Sequence, residues 1–211
     1  MKLVSYRKNK SIRCGLISGE GIIDITDNYQ EVNPPRSIKE IIEGDCLDKV
    51  RELNDRPAEI SLQDAELAAP VTAPGKLLAL AGNYVKHIKE AGLKLGLTES
   101  GRLDTVPRPF LMPSTAAAAH GQTIPWPSYS EQVDYELELA VVIGRPAKCI
   151  SAAQAPEHIF GCTIANDISA RSVTFKEGRK ARPWDEFFDW LGGKWSDAFL
   201  PMGPVLTTAD E

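Results

Sequence analysis

The chain has 211 residues, 43% of them hydrophobic and 25% charged, the balance of a globular protein long enough for one large core or a core with a small companion domain. A net charge of -5 lacks the concentrated basic field that phosphate binding needs, so no nucleic-acid partner is expected. No run approaches a membrane-spanning helix, and MKLVSYRKNK is followed by neither an apolar stretch nor a cleavage site, so no membrane partner is expected and cytoplasmic residence is the default.

The first third reads as short strands around turns. KLVSYRK, SIRCGLIS and GIIDITD alternate apolar with polar residues and are punctuated by Lys8-Asn9-Lys10 and Gly19-Glu20-Gly21. A helix should follow, because Ser37 and Glu40 have capping-box spacing, Ile38, Ile41 and Ile42 form an apolar stripe, and Gly44 is a natural stop. A second amphipathic piece spans Leu47 to Leu53, and the proline- and glycine-rich AAPVTAPGK reads as a linker. Beyond it, Leu77 to Leu80 reads as a buried strand, and Asn83 as the cap of a two-turn helix that stops at Gly92. Such a short helix depends on what it docks against, which makes it a candidate lid. From Pro109 the chain is mostly strand and loop: PFLMP, QTIPWP, DYELELAVVIG, IFGCTIANDIS and PMGPVLTT, with one helix near Trp184 to Leu191. Without regular βαβ alternation, the fold class is α+β, mainly β.

The stretch VDYELELAVVIG carries the first chemical signal. Val133, Tyr135, Leu137 and Leu139 alternate with Asp134, Glu136 and Glu138, so three carboxylates share one strand face and repel one another if water is excluded. Three outcomes are open: the acidic face lies in solvent, a cation sits against it, or protons are taken up. Asn166 and Asp167 end the apolar run IFGCTIA, and Asp167 adds a further oxygen donor where an unpaired Asp is costly. Three hard oxygen ligands without His or Cys would suit Mg²⁺ or Mn²⁺ rather than zinc, with Ca²⁺ also compatible; a solvated strand face with an ordinary turn Asp would need no ion.

His87 and Glu90 stand three apart on one helical face, where the carboxylate fixes the imidazole tautomer and raises its basicity; beside Lys86 and Lys89 the same pair also fits a solvated surface helix. His120 and His158 have no companion acid and read as structural or exposed. Lys194 follows Gly192-Gly193, where the backbone can approach closely, and is either a cation aimed at a substrate carboxylate or enolate, or a solvated loop lysine. KEGRKARP, with Lys176, Arg179, Lys180 and Arg182, has the look of a solvated loop. The cysteines, Cys14, Cys46, Cys149 and Cys162, form no C-x-x-C pair and are expected to be buried, reduced thiols.

Taken in order, AGNYVKHIKEAG, PFLMPSTAAAAHGQTIPWP, VDYELELAVVIG, GCTIANDISAR and GGKWSDAFLPMGPVL resemble the fumarylacetoacetate hydrolase family from Lys76 to the C-terminus. The resemblance implies a mixed β-roll over residues 76–211, incomplete at its C-terminal end, and a small N-terminal α/β domain over residues 1–70. It implies a divalent metal on Glu136, Glu138 and Asp167, a His87–Glu90 dyad with Lys194 in catalysis, Arg171 and Tyr84 in substrate binding, and a homodimer. It also implies a small-molecule 2-oxo acid substrate, with hydrolysis of a C–C bond in an acylpyruvate-like compound as the leading activity and decarboxylation or isomerisation as alternatives; a non-catalytic binding or oligomerisation domain is the alternative of a different class, supported by the two departures that follow. Two departures stand out. Met112 replaces a lysine frequent in the F-x-K-P segment, and the chain stops at GPVLTTADE where family domains continue, so a fragment of a longer protein is expected.

Overall fold

The computed structural model describes residues 1–86 and 106–211. By its contacts the chain falls into two compact units, residues 1–74 with 115–211, and residues 75–114. Strands β1 (Lys2–Lys8), β2 (Ser11–Ser18) and β3 (Gly21–Asp24) form an antiparallel meander whose turns use left-handed Asn9, Lys10 and Gly19. Three short helices follow: α1 (Ile25–Asn28), α2 (Ile38–Glu43) and α3 (Leu47–Arg51). Helix α2 starts as its sequence requires, with the Glu40 N–H donating to Ser37 Oγ at 3.1 Å and Gly44 closing its C-terminus. Its Ile38 and Ile41 pack with Leu3, Cys14, Leu16, Ile23, Ile25, Val50 and Leu206 into the main core.

The edges of this meander are taken by β4 (Ile60–Ser61) on β3 and β5 (Leu67–Ala68) on β1. In the smaller unit, β6 (Leu77–Leu80) pairs antiparallel with β7 (Pro109–Met112), Leu77 opposite Met112. In the larger unit come β8 (Ala117–Ala119), β9 (Gln132–Asp134), β10 (Leu137–Ile143), β11 (Ile159–Asn166), β12 (Ser169–Arg171), helix α4 (Asp185–Gly192), β13 (Leu200–Met202) and β14 (Leu206–Thr208). Strand order is β4-β3-β2-β1-β14-β11-β13-β8, with β10 also on β11 and β5 also on β1; β13 and β8 run parallel and the other pairs antiparallel. The fold is therefore the expected mainly β, mixed-sheet type with few helices. Because β1 pairs with β14, the N-terminal meander and the later strands share one sheet, and Leu3 meets Leu206 in its core.

Three expectations are corrected. QTIPWP forms no strand: Pro125 and Pro127 have no N–H to give a ladder, and the Trp126 indole instead donates to Ser130 O at 2.9 Å. DYELELAVVIG is interrupted at Tyr135 and Glu136, and its apolar side faces outward, with Tyr135 82%, Leu137 71% and Leu139 62% exposed while Glu138, Ala140 and Val142 are half-buried. Of the cysteines, Cys14 is buried, its thiol pushed up to about 12 by burial, whereas Cys149 is exposed. Among the described residues no helix is long and apolar enough to cross a membrane.

Gly161 marks a close backbone approach in the sheet. A Cβ built there would lie 2.2 Å from the backbone O of Thr207 on β14. Gly161→Ala should therefore lower the unfolding free energy by about 1–3 kcal/mol in urea titration; an unchanged midpoint would mean that β11 and β14 separate without cost.

Candidate functional site

Where β9 gives way to β10, the partner strand changes from β12 to β11 without a change of register. Asp134 pairs with Ser169 and Leu137 with Asn166, which leaves Tyr135 and Glu136 facing Asp167 and Ile168 across a gap in one continuous ladder. Only half of a regular exchange forms in the gap. The Asp167 N–H donates to Glu136 O at 2.8 Å, but the Glu136 N–H turns to Asn166 Oδ1 at 2.9 Å, and Asp167 O accepts from Ser169 Oγ at 3.0 Å.

Into this opening comes Lys194. Helix α4 ends with the Gly193 N–H on Asp189 O and the Lys194 N–H on Leu191 O, and Gly193 presses on β12 so closely that a Cβ would lie 2.4 Å from Ala170 O. The two glycines thus deliver the lysine inward. Lys194 is 3% exposed, and its Nζ donates to Asp167 Oδ2 at 2.6 Å, Ser169 Oγ at 2.7 Å and Glu136 Oε2 at 3.1 Å. Its ammonium also lies 5.7 Å from the centroid of the Trp190 ring.

A second cation closes the far side. Arg171 Nε donates to Asp134 Oδ2 at 2.8 Å, and its Nη2 donates to Glu136 Oε1. The two carboxyls respond differently. Burial alone would raise Glu136, but the charges of Lys194 and Arg171 more than offset this and hold it below the usual carboxylate range. Burial dominates at Asp167 and pushes it up, with Lys194 offsetting only part. At Arg171, burial works against the charge, and the bond to Asp134 and the charge of Glu136 overcome it.

Of the three outcomes open in the sequence, cations against the acids is the one observed. Glu136, Asp167 and Lys194 are drawn together, and Arg171 is held by the acids Asp134 and Glu136. Glu138, two residues beyond Glu136 and half-buried, pairs across the ladder with Ala165. Among the described residues, no group of three or more His, Cys, Asp or Glu side chains stands ready to hold a metal ion. A cation would nevertheless find a donor, because Asp167 Oδ1 is buried without a hydrogen-bond partner among those residues, and an unpaired carboxylate oxygen is costly. Tyr84 is exposed in the smaller unit. His87 and Glu90, and with them the expected lid dyad, lie outside the described residues.

The sequence reading gave no role to Ser169, whose hydroxyl takes Lys194 and donates to Asp167 O, or to the Asn166 side chain. The two-residue spacing of Asp167 and Ser169 was the available signal for the serine, since it places both on one side of the chain.

Comparison with known proteins agrees with this frame. Residues 76–211 match the family model described as fumarylacetoacetate (FAA) hydrolase C-terminal. The chain belongs to the fumarylacetoacetate hydrolase family. Among curated relatives, the mitochondrial oxaloacetate tautomerase FAHD2A of Homo sapiens is 32% identical over 218 residues, covering 100% of this chain and 63% of the relative. Its Bos taurus counterpart is 34% identical over 199 residues, covering 92% of this chain and 57% of the relative. The chain thus spans less than two thirds of these proteins. Among solved structures, 5-carboxymethyl-2-hydroxymuconate delta-isomerase from Mycobacterium smegmatis aligns with a TM-score of 0.65 at 28% identity, over 99% of this chain and 67% of that one. Maleylpyruvate hydrolase from Sphingobium sp. SYK-6, in complex with manganese (II) ion and pyruvate, aligns with a TM-score of 0.69 at 23% identity, over 100% of this chain and 68% of that one, a likeness of fold.

Removing Lys194 would leave two partly buried carboxylates beside each other without their shared cation. Lys194→Met should cost about 3–5 kcal/mol near pH 7.5. Removing the ammonium takes away a charge that lowers both carboxyl pKa values; Asp167, already above its unfolded value, rises further, while Glu136 rises but keeps Arg171 beside it, so the Asp167 side chain above all contributes stability while protonated and loses it as pH climbs through its folded pKa. The gap from the parent protein should therefore narrow as pH falls through those raised values, read from urea unfolding at pH 5 and 7.5. An equal cost at both would show that Lys194 does not govern the charge of these acids.

Proposed function

We propose that this chain is the metal-binding, enol-stabilising part of an enzyme that acts on a small 2-oxo acid. The observation that carries the reading is the convergence of Glu136 and Asp167 on one buried ammonium, with a further Asp167 oxygen left without a partner among the described residues. Glu136 and Asp167, joined by Glu138, would hold a divalent ion, Mg²⁺ or Mn²⁺, which suits hard carboxylate oxygens. When bound, such an ion supplies Lewis-acid charge that polarises the 2-oxo group and favours its enolate.

The protein's own groups prepare that chemistry. Arg171 holds Glu136 ionised from one side and Lys194 from the other, so a ligand carboxylate is present at neutral pH. Lys194 keeps positive charge beside the acids, where it offsets negative charge developing on a substrate oxygen. Ser169 fixes Lys194 in place, and Gly193 fixes the turn that carries it.

Movement of a proton between the keto and enol forms needs no attacking water, and the relatives named as oxaloacetate tautomerases favour it as the first reading. The second reading is hydrolysis of a C–C bond in an acylpyruvate, with His87 and Glu90 activating water; its support is the H-x-x-E spacing on the segment resembling the family lid.

Activity is tested by following the ultraviolet absorbance of enol oxaloacetate and, separately, pyruvate release from an acylpyruvate. Tautomerisation that is abolished by EDTA, restored by Mn²⁺ and reduced about a hundredfold or more in Glu136→Gln is expected. Metal-independent turnover, or full activity in the Gln variant, contradicts the metal reading, and pyruvate release selects the hydrolase.

A further inference from the structure

We infer that Asn166 is a positioning residue that holds the β-ladder open at the site, so that Glu136 and Asp167 lean together onto one cation. This deepens the metal reading above and rests on it for its consequence in binding, but the structural claim stands on the ladder alone.

The register is the starting point. Pairs Asp134–Ser169, Leu137–Asn166 and Glu138–Ala165 belong to a single antiparallel alignment, in which Glu136 faces Asp167. A regular hydrogen-bonded pair at that point would exchange two bonds, Asp167 N–H to Glu136 O and Glu136 N–H to Asp167 O, and would set the two side chains parallel, roughly perpendicular to the sheet. The first bond is present at 2.8 Å. The second is replaced. Asn166 Oδ1 takes the Glu136 N–H at 2.9 Å, and Ser169 Oγ satisfies the Asp167 carbonyl at 3.0 Å. No backbone polar group in the exchange is left unpaired, so the opening carries no desolvation penalty.

Asn166 suits this task in particular. It is the last residue of β11, directly opposite Leu137, and its amide oxygen lies at the reach of a backbone carbonyl one residue short of the position the ladder would use. On the other side of the chain the Ile168 N–H bonds Phe199 O at 2.9 Å, in line with the β11–β13 register, so the neighbouring pairing holds while the exchange with Glu136 is half replaced. The consequence appears at the carboxylates. Both reach the same Nζ, at 2.6 Å from Asp167 and 3.1 Å from Glu136, across the one pair whose second backbone bond is replaced. The bond that Asn166 makes here is to the Glu136 backbone N–H, and so it acts through the backbone it holds.

Asn166→Ala removes the acceptor, and Asn166→Asp keeps one. In a metal-free crystal structure of the Ala variant, the Glu136 N–H should close onto Asp167 O and the Glu136 carboxylate should leave Lys194; in the Asp variant the ladder should stay open. Mn²⁺ affinity, read by electron paramagnetic resonance of the free ion, should fall about 10–100-fold in the Ala variant and recover in the Asp variant. An open ladder in Asn166→Ala, or Mn²⁺ affinity within about twofold of the parent, overturns the inference. If the parent protein binds no Mn²⁺ the metal reading fails, while the metal-free structures still decide the role of Asn166.

Discussion

An ammonium that is 3% exposed has given up almost all of its water, and that loss costs several kcal/mol unless charge and hydrogen bonds replace it. Lys194 recovers it from Asp167, Glu136 and Ser169, all contributed by the interrupted ladder or the strand beyond it. The dependence is mutual. Two carboxylates brought side by side would repel or take up protons, and Glu136 remains ionised because Lys194 and Arg171 flank it. This small charge lattice explains why Gly193 must press on Ala170, why β12 ends in Arg171, and why the strand carrying the acids turns them inward.

The ladder and the charges are two views of one constraint. A regular antiparallel pair fixes the spacing and direction of two opposite side chains through two backbone bonds. Opening the pair at Glu136 and Asp167 while keeping the register lets the backbone tilt without moving the strands on either side. Asn166 and Ser169 take the bonds that the backbone releases. A site on rigid strands with a local relaxation of this kind combines precise placement with the freedom to aim side chains.

Much of the fold was legible in the sequence. The Ser37–Glu40 box and Gly44 set helix α2, the alternation in KLVSYRK and SIRCGLIS set the meander, and Gly192-Gly193 before Lys194 announced a close backbone approach that the contact with Ala170 bears out. The orientation of the E-x-E strand was not legible. Alternation specifies which residues share a face and is silent on which face is inward, and here the face that carries Leu137 and Leu139 is the outer one. The gap at Glu136 was equally hidden, because an unbroken apolar-polar alternation across Val133 to Leu139 carries no glycine or proline to mark an interruption. What makes the gap is a side chain of the partner strand, Asn166, and such a tertiary bond leaves no local trace.

The account stands on Glu136 and Asp167 sharing one cation site. Its most direct test is an anomalous difference map from crystals of the protein soaked in Mn²⁺ at neutral pH. One strong peak within coordination distance of a carboxylate oxygen from each residue is expected, with Asp167 Oδ1 among the ligands. A map with no peak between them, or with manganese held by other residues, would contradict it.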